Sequence, residues 1–145
     1  KSGQGGVRYM ISRAVAEYTI VTRIQDALSK SEYANAIISA SPPADKAKFP
    51  YIYVQLTDSP ESSNTADTVL VEHYIDLTFQ VDVYTNNDNG DMDCSAMMDY
   101  ILACMKRMNF RTDANTPMPK QNNDSIYRRT ARFIGRWDGT TFYRR

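Results

Sequence analysis

The chain has 145 residues, 42% of them hydrophobic, and its 17 basic and 17 acidic side chains give a formal net charge of zero. This length suits one domain with one core, and the balanced charge disfavours a strongly basic nucleic-acid binder or a membrane-surface protein. No run approaches the roughly 18 apolar residues of a transmembrane helix. We expect a flexible arm over residues 1–6 and a single α+β domain over residues 7–145.

The first predicted element is an amphipathic helix over residues 7–28, where apolar side chains recur at helical spacing. Its expected buried stripe is Ile11, Val15, Tyr18, Val21 or Ile24, and Leu28. The apolar residues within 34–40 then predict a short strand. Pro42 and Pro43 end that strand, because proline cannot continue a hydrogen-bond ladder.

Two strands with a period of two dominate the middle of the chain. In the first, Ile52, Val54 and Leu56 alternate with more polar neighbours. The second is expected over 69–84, with its core half over 75–84. Because the stretch between the two strands is polar and small, it predicts an exposed loop at the tip of a projecting antiparallel hairpin.

A turn-rich segment precedes a second predicted helix over 92–108, for which Asp91 is the expected N-cap and Asn109 the left-handed end. Its expected core stripe is Cys94, Met97, Met98, Ile101, Leu102, Met105 and Met108. A methionine stripe can also serve as an adaptable binding face. Cys94 and Cys104 lie about 15 Å apart along this helix, too far to pair, so we expect both to be reduced and buried.

The last part of the chain predicts a short strand at 110–112, a polar loop over 113–124 and a further strand from Ser125 onward. The faces of that strand alternate, with Tyr127, Ala131 and Phe133 on one and Arg128, Thr130, Arg132 and Arg136 on the other. The Asp138-Gly139 pair is typical of a hairpin turn, so residues 141–143 should fold back on the strand.

No group of residues predicts catalysis. His73 is the single histidine, and within a strand we expect it to be a hydrogen-bonded or interface residue. Asp76 and Asp82 share a strand face but stand about 20 Å apart, beyond the roughly 5 to 9.5 Å of a paired acid and base. The acidic turn over 88–93 lacks the calcium-loop pattern, and no glycine-rich phosphate loop follows a strand. We therefore expect no enzyme activity, no metal and no cofactor.

Positive charge is concentrated at the end of the chain. The arginines there are Arg128, Arg129, Arg132, Arg136, Arg144 and Arg145. Such a strand face could contact phosphates, pair with carboxylates of a neighbouring subunit, or simply be solvated. The residues alone leave these three interpretations open.

The predicted elements follow a distinctive order. A helix and a strand precede the hairpin segment FPYIYVQLTDSP, a long strand ending TFQVDVYTNN, a helix ending MKRMNF and the segment IYRRTARFIGRWDG. This order resembles that of phage tail terminator (tail completion) proteins of siphophage-like tails and related prophages, over about residues 12–143. The resemblance rests on strand and turn patterns. It implies an α+β fold with a mixed or antiparallel sheet packed by helices.

The resemblance also implies a structural virion protein of the tail neck, assembled in the host cytoplasm. Its partners would be further copies in a hexameric ring, the tail tube protein and a head connector or stopper protein, with DNA only passing through the lumen and no membrane. The chain's ten tyrosines suit such a role, because tyrosine is favoured at protein interfaces. A head-completion ring protein, or a nucleic-acid-binding module that uses the arginine strand, are the alternatives.

On this interpretation, two sets of side chains are expected at contacts. Loop residues would meet the axial partners: Thr57, Asp58, Glu61, Asn64, Asp67, Asn115, Lys120 and Asn122. Strand residues would lie at a subunit boundary or the lumen: Tyr74, Asp76, Arg128, Arg132 and Arg136.

Overall fold

The expected α+β class is confirmed by a computed structural model, which describes residues 13–43, 48–57, 75–86, 89–118, 126–139 and 141–143. The helices within these residues are α1 (Arg13–Ser29) and α2 (Gly90–Arg107). The strands are β1 (Ile37–Ser39), β2 (Tyr51–Thr57), β3 (Ile75–Thr85), β4 (Arg111–Met118), β5 (Tyr127–Trp137) and β6 (Phe142–Tyr143).

The strands form one mixed sheet in the order β1-β2-β3-β5-β4, with β6 beside β5. β1 pairs in parallel with β2, and the other neighbours pair antiparallel. The predicted pairing of the two central strands is confirmed, since β2 and β3 pair from Tyr51 opposite Tyr84 to Thr57 opposite Thr78. The expected projecting tip and the first part of the predicted long strand lie in 58–74, outside the described residues.

Both helices pack on one face of this sheet. The alternation predicted for β3 and β5 is confirmed, because Phe79, Val81, Ala131 and Phe133 are fully buried with the helices while their sequence neighbours point away. The helical side of the core consists of Ala16, Ile20, Ile24 and Leu28 of α1 and Cys94, Met97, Met98, Ile101, Cys104 and Met105 of α2. The sheet therefore has one covered face and one that the described helices leave open.

The predicted stripe of α1 is confirmed at Ile24 and Leu28 but is wrong in the first part of the helix. Val15 and Tyr18 are 49% and 72% exposed, whereas the buried residues begin at Ala16 and recur every fourth position. α1 has apolar side chains on more than one side, so spacing alone cannot show which side faces the sheet. Residues 7–12 of the predicted helix lie outside the described residues.

The helix α2 starts earlier than predicted, because Asn89 and not Asp91 is its N-cap. Asp91 lies in the first turn, where its charge favours the positive end of the helix dipole. Gly90 permits this start, since a Cβ atom there would lie 1.9 Å from Cδ1 of Tyr127.

The expected C-terminal end of α2 is confirmed, because Asn109 adopts the left-handed conformation at φ 71°. The methionine stripe fills the core, as expected.

The segment 113–118 is a strand and not the predicted loop. β4 pairs with β5 from Arg111 opposite Ile134 to Met118 opposite Arg128, with a bulge between Thr112 and Ala114. It borders the sheet and exposes most of its side chains, so its polar composition is compatible with a strand. Pro117 is tolerated at such an edge. The rest of the predicted loop lies outside the described residues.

The terminal hairpin is confirmed. β6 pairs with the end of β5, and the Asp138 N–H donates to the Thr141 carbonyl oxygen at 3.2 Å. Gly139 has φ 105°, a conformation that glycine adopts without strain. This turn places the Phe142 ring 4.4 Å from the Trp137 ring and closes that end of the core.

Candidate functional site

The sheet face turned away from both helices is the candidate site, and we call it the outer face. Its side chains come from the three central strands: Tyr53, Gln55 and Thr57 of β2, Asp76, Thr78, Gln80, Asp82 and Tyr84 of β3, and Arg128, Thr130, Arg132, Ile134 and Arg136 of β5. No described helix packs on them. Most are half-buried, so the face is a dense layer of polar and aromatic side chains.

Asp82 is the buried centre of the outer face, with 1% of its surface exposed. Nη2 of Arg128 lies 3.2 Å from its Oδ2. The Thr130 hydroxyl donates to its Oδ1, and Gln80 Nε2 donates to its Oδ2 at 3.4 Å. An isolated carboxylate is costly to bury, so these donors are what allow Asp82 to lie within the sheet surface.

The guanidinium of Arg128 also lies over the Tyr84 ring, 5.5 Å from the ring centroid. Burial raises the pKa of Tyr84, nearby Asp82 raises it further, and Arg128 opposes that rise. The Arg128 Nε is buried and has no hydrogen-bond partner among the described residues. Arg128 is thus held by a carboxylate at its tip and a ring at its side, with 36% of its side chain exposed.

A second ion pair joins the same two strands at their other end. Arg136 Nε donates to Asp76 Oδ1 at 2.8 Å, and these residues are direct cross-strand partners. The Asp76 side chain is 11% exposed and that of Arg136 is 37% exposed. Facing pairs of opposite charge favour this register of β3 and β5.

The remaining arginines of β5 also have partners within the chain. Arg132 Nη1 lies 3.6 Å from Asp113 Oδ2, and both side chains are well exposed. Arg129 Nε donates to the Asn115 side-chain oxygen at 2.9 Å. Of the three interpretations of the arginine cluster, phosphate binding needs uncompensated charge. Three arginines of β5 have acidic partners within the chain, and Arg129 contacts a neutral amide. Arg144 and Arg145 lie outside the described residues.

The structure brings together only some of the predicted contact residues. Asp76, Arg128, Arg132 and Arg136 share the outer face. Asn115 lies in β4 instead of a loop, and Thr57 ends β2 with its hydroxyl donating to the Thr78 carbonyl oxygen at 3.0 Å. The other predicted residues fall outside the described ranges: Asp58, Glu61, Asn64, Asp67, Tyr74, Lys120 and Asn122, together with His73.

The acidic partners of the arginines do not follow from the sequence pattern of any single strand. The sequence predicts Asp82 only as one of two distant carboxylates, and it predicts Asp113 in a loop. The available signal was the alternation of acids on β3 and arginines on β5, which opposes charges once the two strands pair antiparallel.

Among the described residues, no group of three or more His, Cys, Asp or Glu side chains could hold a metal ion. Burial raises the pKa of the Cys94 thiol to about 12, with Asp91 and Asp93 adding to the effect. Burial also raises the pKa of Cys104. Both thiols are therefore protonated at neutral pH and are poor nucleophiles. Within the same part of the chain, no helix has the length and apolar composition needed to cross a membrane.

No protein-family model matches the chain, and no curated protein matches it in sequence. Function must therefore be inferred from the residues and their geometry.

Proposed function

We propose that the chain is a structural subunit of a phage virion. It assembles into a hexameric ring at the head-proximal end of the tail tube, stops tube polymerisation and joins the tail to the head connector. In this role it is not an enzyme and needs no cofactor. The order of sequence elements suggests the role, and two features of the fold support it.

The observation that carries the proposal is where the connections leave the sheet. The connection between β2 and β3 leaves beside Thr57 and Ile75, and Ile75 pairs with Trp137. The connection between β4 and β5 leaves beside Met118, which pairs with Arg128. These points on β5 are about 30 Å apart at the usual strand rise. The two connections therefore start at opposite ends of the sheet, as we expect of a subunit with a different axial partner on each side.

The outer face supports contact with protein and not with phosphate. Tyrosine and arginine are enriched at protein interfaces, and here Tyr84 lies opposite Arg128 while Tyr53 lies opposite Asp82. Internal ion pairs already offset the arginine charges. In a ring, this face would meet a different surface of the next copy, because contacts closed by rotation are heterologous. We place Arg128, Arg132, Arg136 and Asp76 near a subunit boundary or the lumen on this basis.

The direct functional test is tube growth. Purified tail tube protein of the same phage is allowed to polymerise with and without the chain, and tube lengths are measured by electron microscopy. We expect tubes to stop growing and to carry a ring at one end. Tubes of unchanged length without end rings would contradict the proposal, and rings found only on the head connector would favour the head-completion alternative.

Charge reversal tests the placement of the outer face. Arg132→Glu changes an exposed side chain, so the subunit should still fold, but ring assembly should weaken. Lys30→Glu, an exposed site in the turn after α1, is the matched control. Normal rings and tail joining by the Arg132 variant would remove Arg132 from the boundary.

A further inference from the structure

Four basic side chains surround the C-terminal end of α2 without an ion pair to any described carboxylate. They are Arg23 of α1, Lys106 and Arg107 of α2, and Arg111 at the start of β4. All four are exposed. They differ in this from Arg128, Arg132 and Arg136, whose charges are offset within the chain. The described cations without such an ion pair therefore include three on the helices, Arg23, Lys106 and Arg107. Arg111 adjoins them at the edge of the sheet, where it lies opposite Ile134 of β5.

A cleft of about 510 Å³ lies between α2 and the start of β4, beside two of these cations. Leu102 and Phe110 line its apolar part, and Lys106 and Arg111 line its basic part. None of the described residues that line it is acidic. The volume lies within the range of about 300 to 1,000 Å³ for ligand sites in proteins. The cleft thus combines space for one apolar side chain with positive charge on both walls.

The other two cations lie around the same helix end. Arg23 and Arg107 line a smaller cleft of about 230 Å³ with Thr19, Asn109 and Thr141, between α1, the end of α2 and β6. The negative end of a helix dipole stabilises cations in the last turn of the same helix, which accounts for Lys106 and Arg107. The dipole does not account for Arg23 and Arg111, because they belong to other elements.

We propose that the cleft between α2 and β4 binds an acidic segment of a partner protein. An apolar side chain of that segment enters the cleft against Leu102 and Phe110, and flanking carboxylates pair with Lys106 and Arg111. The apolar lining favours a protein segment over a nucleic-acid backbone, which carries charge without aliphatic side chains. The inference is independent of ring formation.

The edge of β4 indicates how such a segment binds. A bulge at Asp113 and the missing N–H of Pro117 interrupt the outer hydrogen-bonding row of the strand. A continuous added strand is therefore disfavoured along β4. Recognition should depend on side chains, which makes it sensitive both to charge and to the apolar residue.

The test is fluorescence anisotropy on the full chain with a fluorescein-labelled Glu-Glu-Leu-Glu-Glu peptide at low salt. We expect binding that weakens as ionic strength rises, and that weakens further when serine replaces the leucine. The variant Lys106→Glu with Arg111→Glu should lose at least about tenfold in affinity. Lys30→Glu with Lys48→Glu makes the same change in net charge at exposed sites elsewhere and should stay within about twofold of the unmodified chain.

The inference would be overturned if the peptide did not bind at millimolar concentration, or if a peptide with glutamine in place of glutamate bound equally well. An equal loss of affinity in both double variants would also overturn it. So would displacement of the peptide by duplex DNA that binds more tightly. Circular dichroism of each variant checks folding. If the double charge reversal does not fold, Lys106→Gln with Arg111→Gln removes the charges more gently and should show a smaller loss in the same direction.

Discussion

At the residue scale, the clearest physical constraint is a carboxylate buried in the surface of a sheet. Asp82 is 1% exposed and depends on Arg128, Thr130 and Gln80 for its polar contacts. Removing one partner of a buried charge pair costs more than the pair itself contributes, because the remaining charge stays buried. Arg132 and Asp113 form the contrasting exposed pair.

We therefore expect Arg128→Ala to lower the free energy of unfolding by about 2 kcal/mol, less than for a fully buried pair because Arg128 is partly exposed. Arg132→Ala should change it by less than about 0.5 kcal/mol. Urea unfolding of both variants at one protein concentration measures the difference. Equal losses would show that the Asp82 pair carries no special stability.

The buried thiol of Cys94 links stability to alkaline pH. Its pKa rises from 9.0 to about 12 on folding, so the folded chain keeps a proton that the unfolded chain releases. Stability from this group is complete below pH 9.0 and is lost as the pH rises toward 12, with a slope of at most about 1.4 kcal/mol per pH unit.

We expect Cys94→Ala to be less stable at neutral pH but to lose stability less steeply between pH 8 and 10 than the unmodified chain. Urea unfolding at several pH values measures both slopes. The raised pKa values of Tyr33 and Tyr84 affect the stability of both proteins equally. The difference between the two slopes therefore measures the contribution of the Cys94 thiol. Parallel slopes would contradict a strongly raised Cys94 pKa.

At the scale of elements, sequence periodicity predicted well where one face is buried and the other is polar. β3, β5 and α2 meet that condition, and their buried faces agree with the prediction except that Leu102 of α2 is only partly buried while Cys104 is in the core. α1 does not, because Val15 and Tyr18 are apolar yet exposed. β4 does not either, since an edge strand with exposed side chains has the composition of a loop. The ion pairs of the outer face depend on strand register, which single-strand patterns do not specify.

Substitutions in α1 distinguish the observed stripe from the predicted one. Ile20→Ala removes a fully buried side chain that the predicted stripe leaves out, and it should cost about 2 to 5 kcal/mol. Val15→Ala, at an exposed position of the same helix, should change stability by less than about 0.5 kcal/mol. Thermal unfolding of the two variants measures this contrast, and a larger loss at Val15 would restore the predicted stripe.

At the scale of the whole molecule, the net charge is zero, yet the chain has two different basic regions. The arginines of the outer face form ion pairs with acids of the same chain, while the cations around the end of α2 form none with a described carboxylate. The outer face is suited to contact with another protein surface, and the connections leave the sheet at opposite ends. Both features are what we expect of the proposed ring subunit with two axial partners.

The most direct test of the proposed ring is the mass of the chain in solution, measured by light scattering after size exclusion. The chain is measured alone and then with the tail tubes that the proposal names as its partner. We expect a hexamer, or a monomer that forms rings only on tube ends. A monomer that ignores tubes but binds DNA at low salt, with the steep salt dependence of phosphate contacts, would contradict the ring and favour a nucleic-acid-binding role.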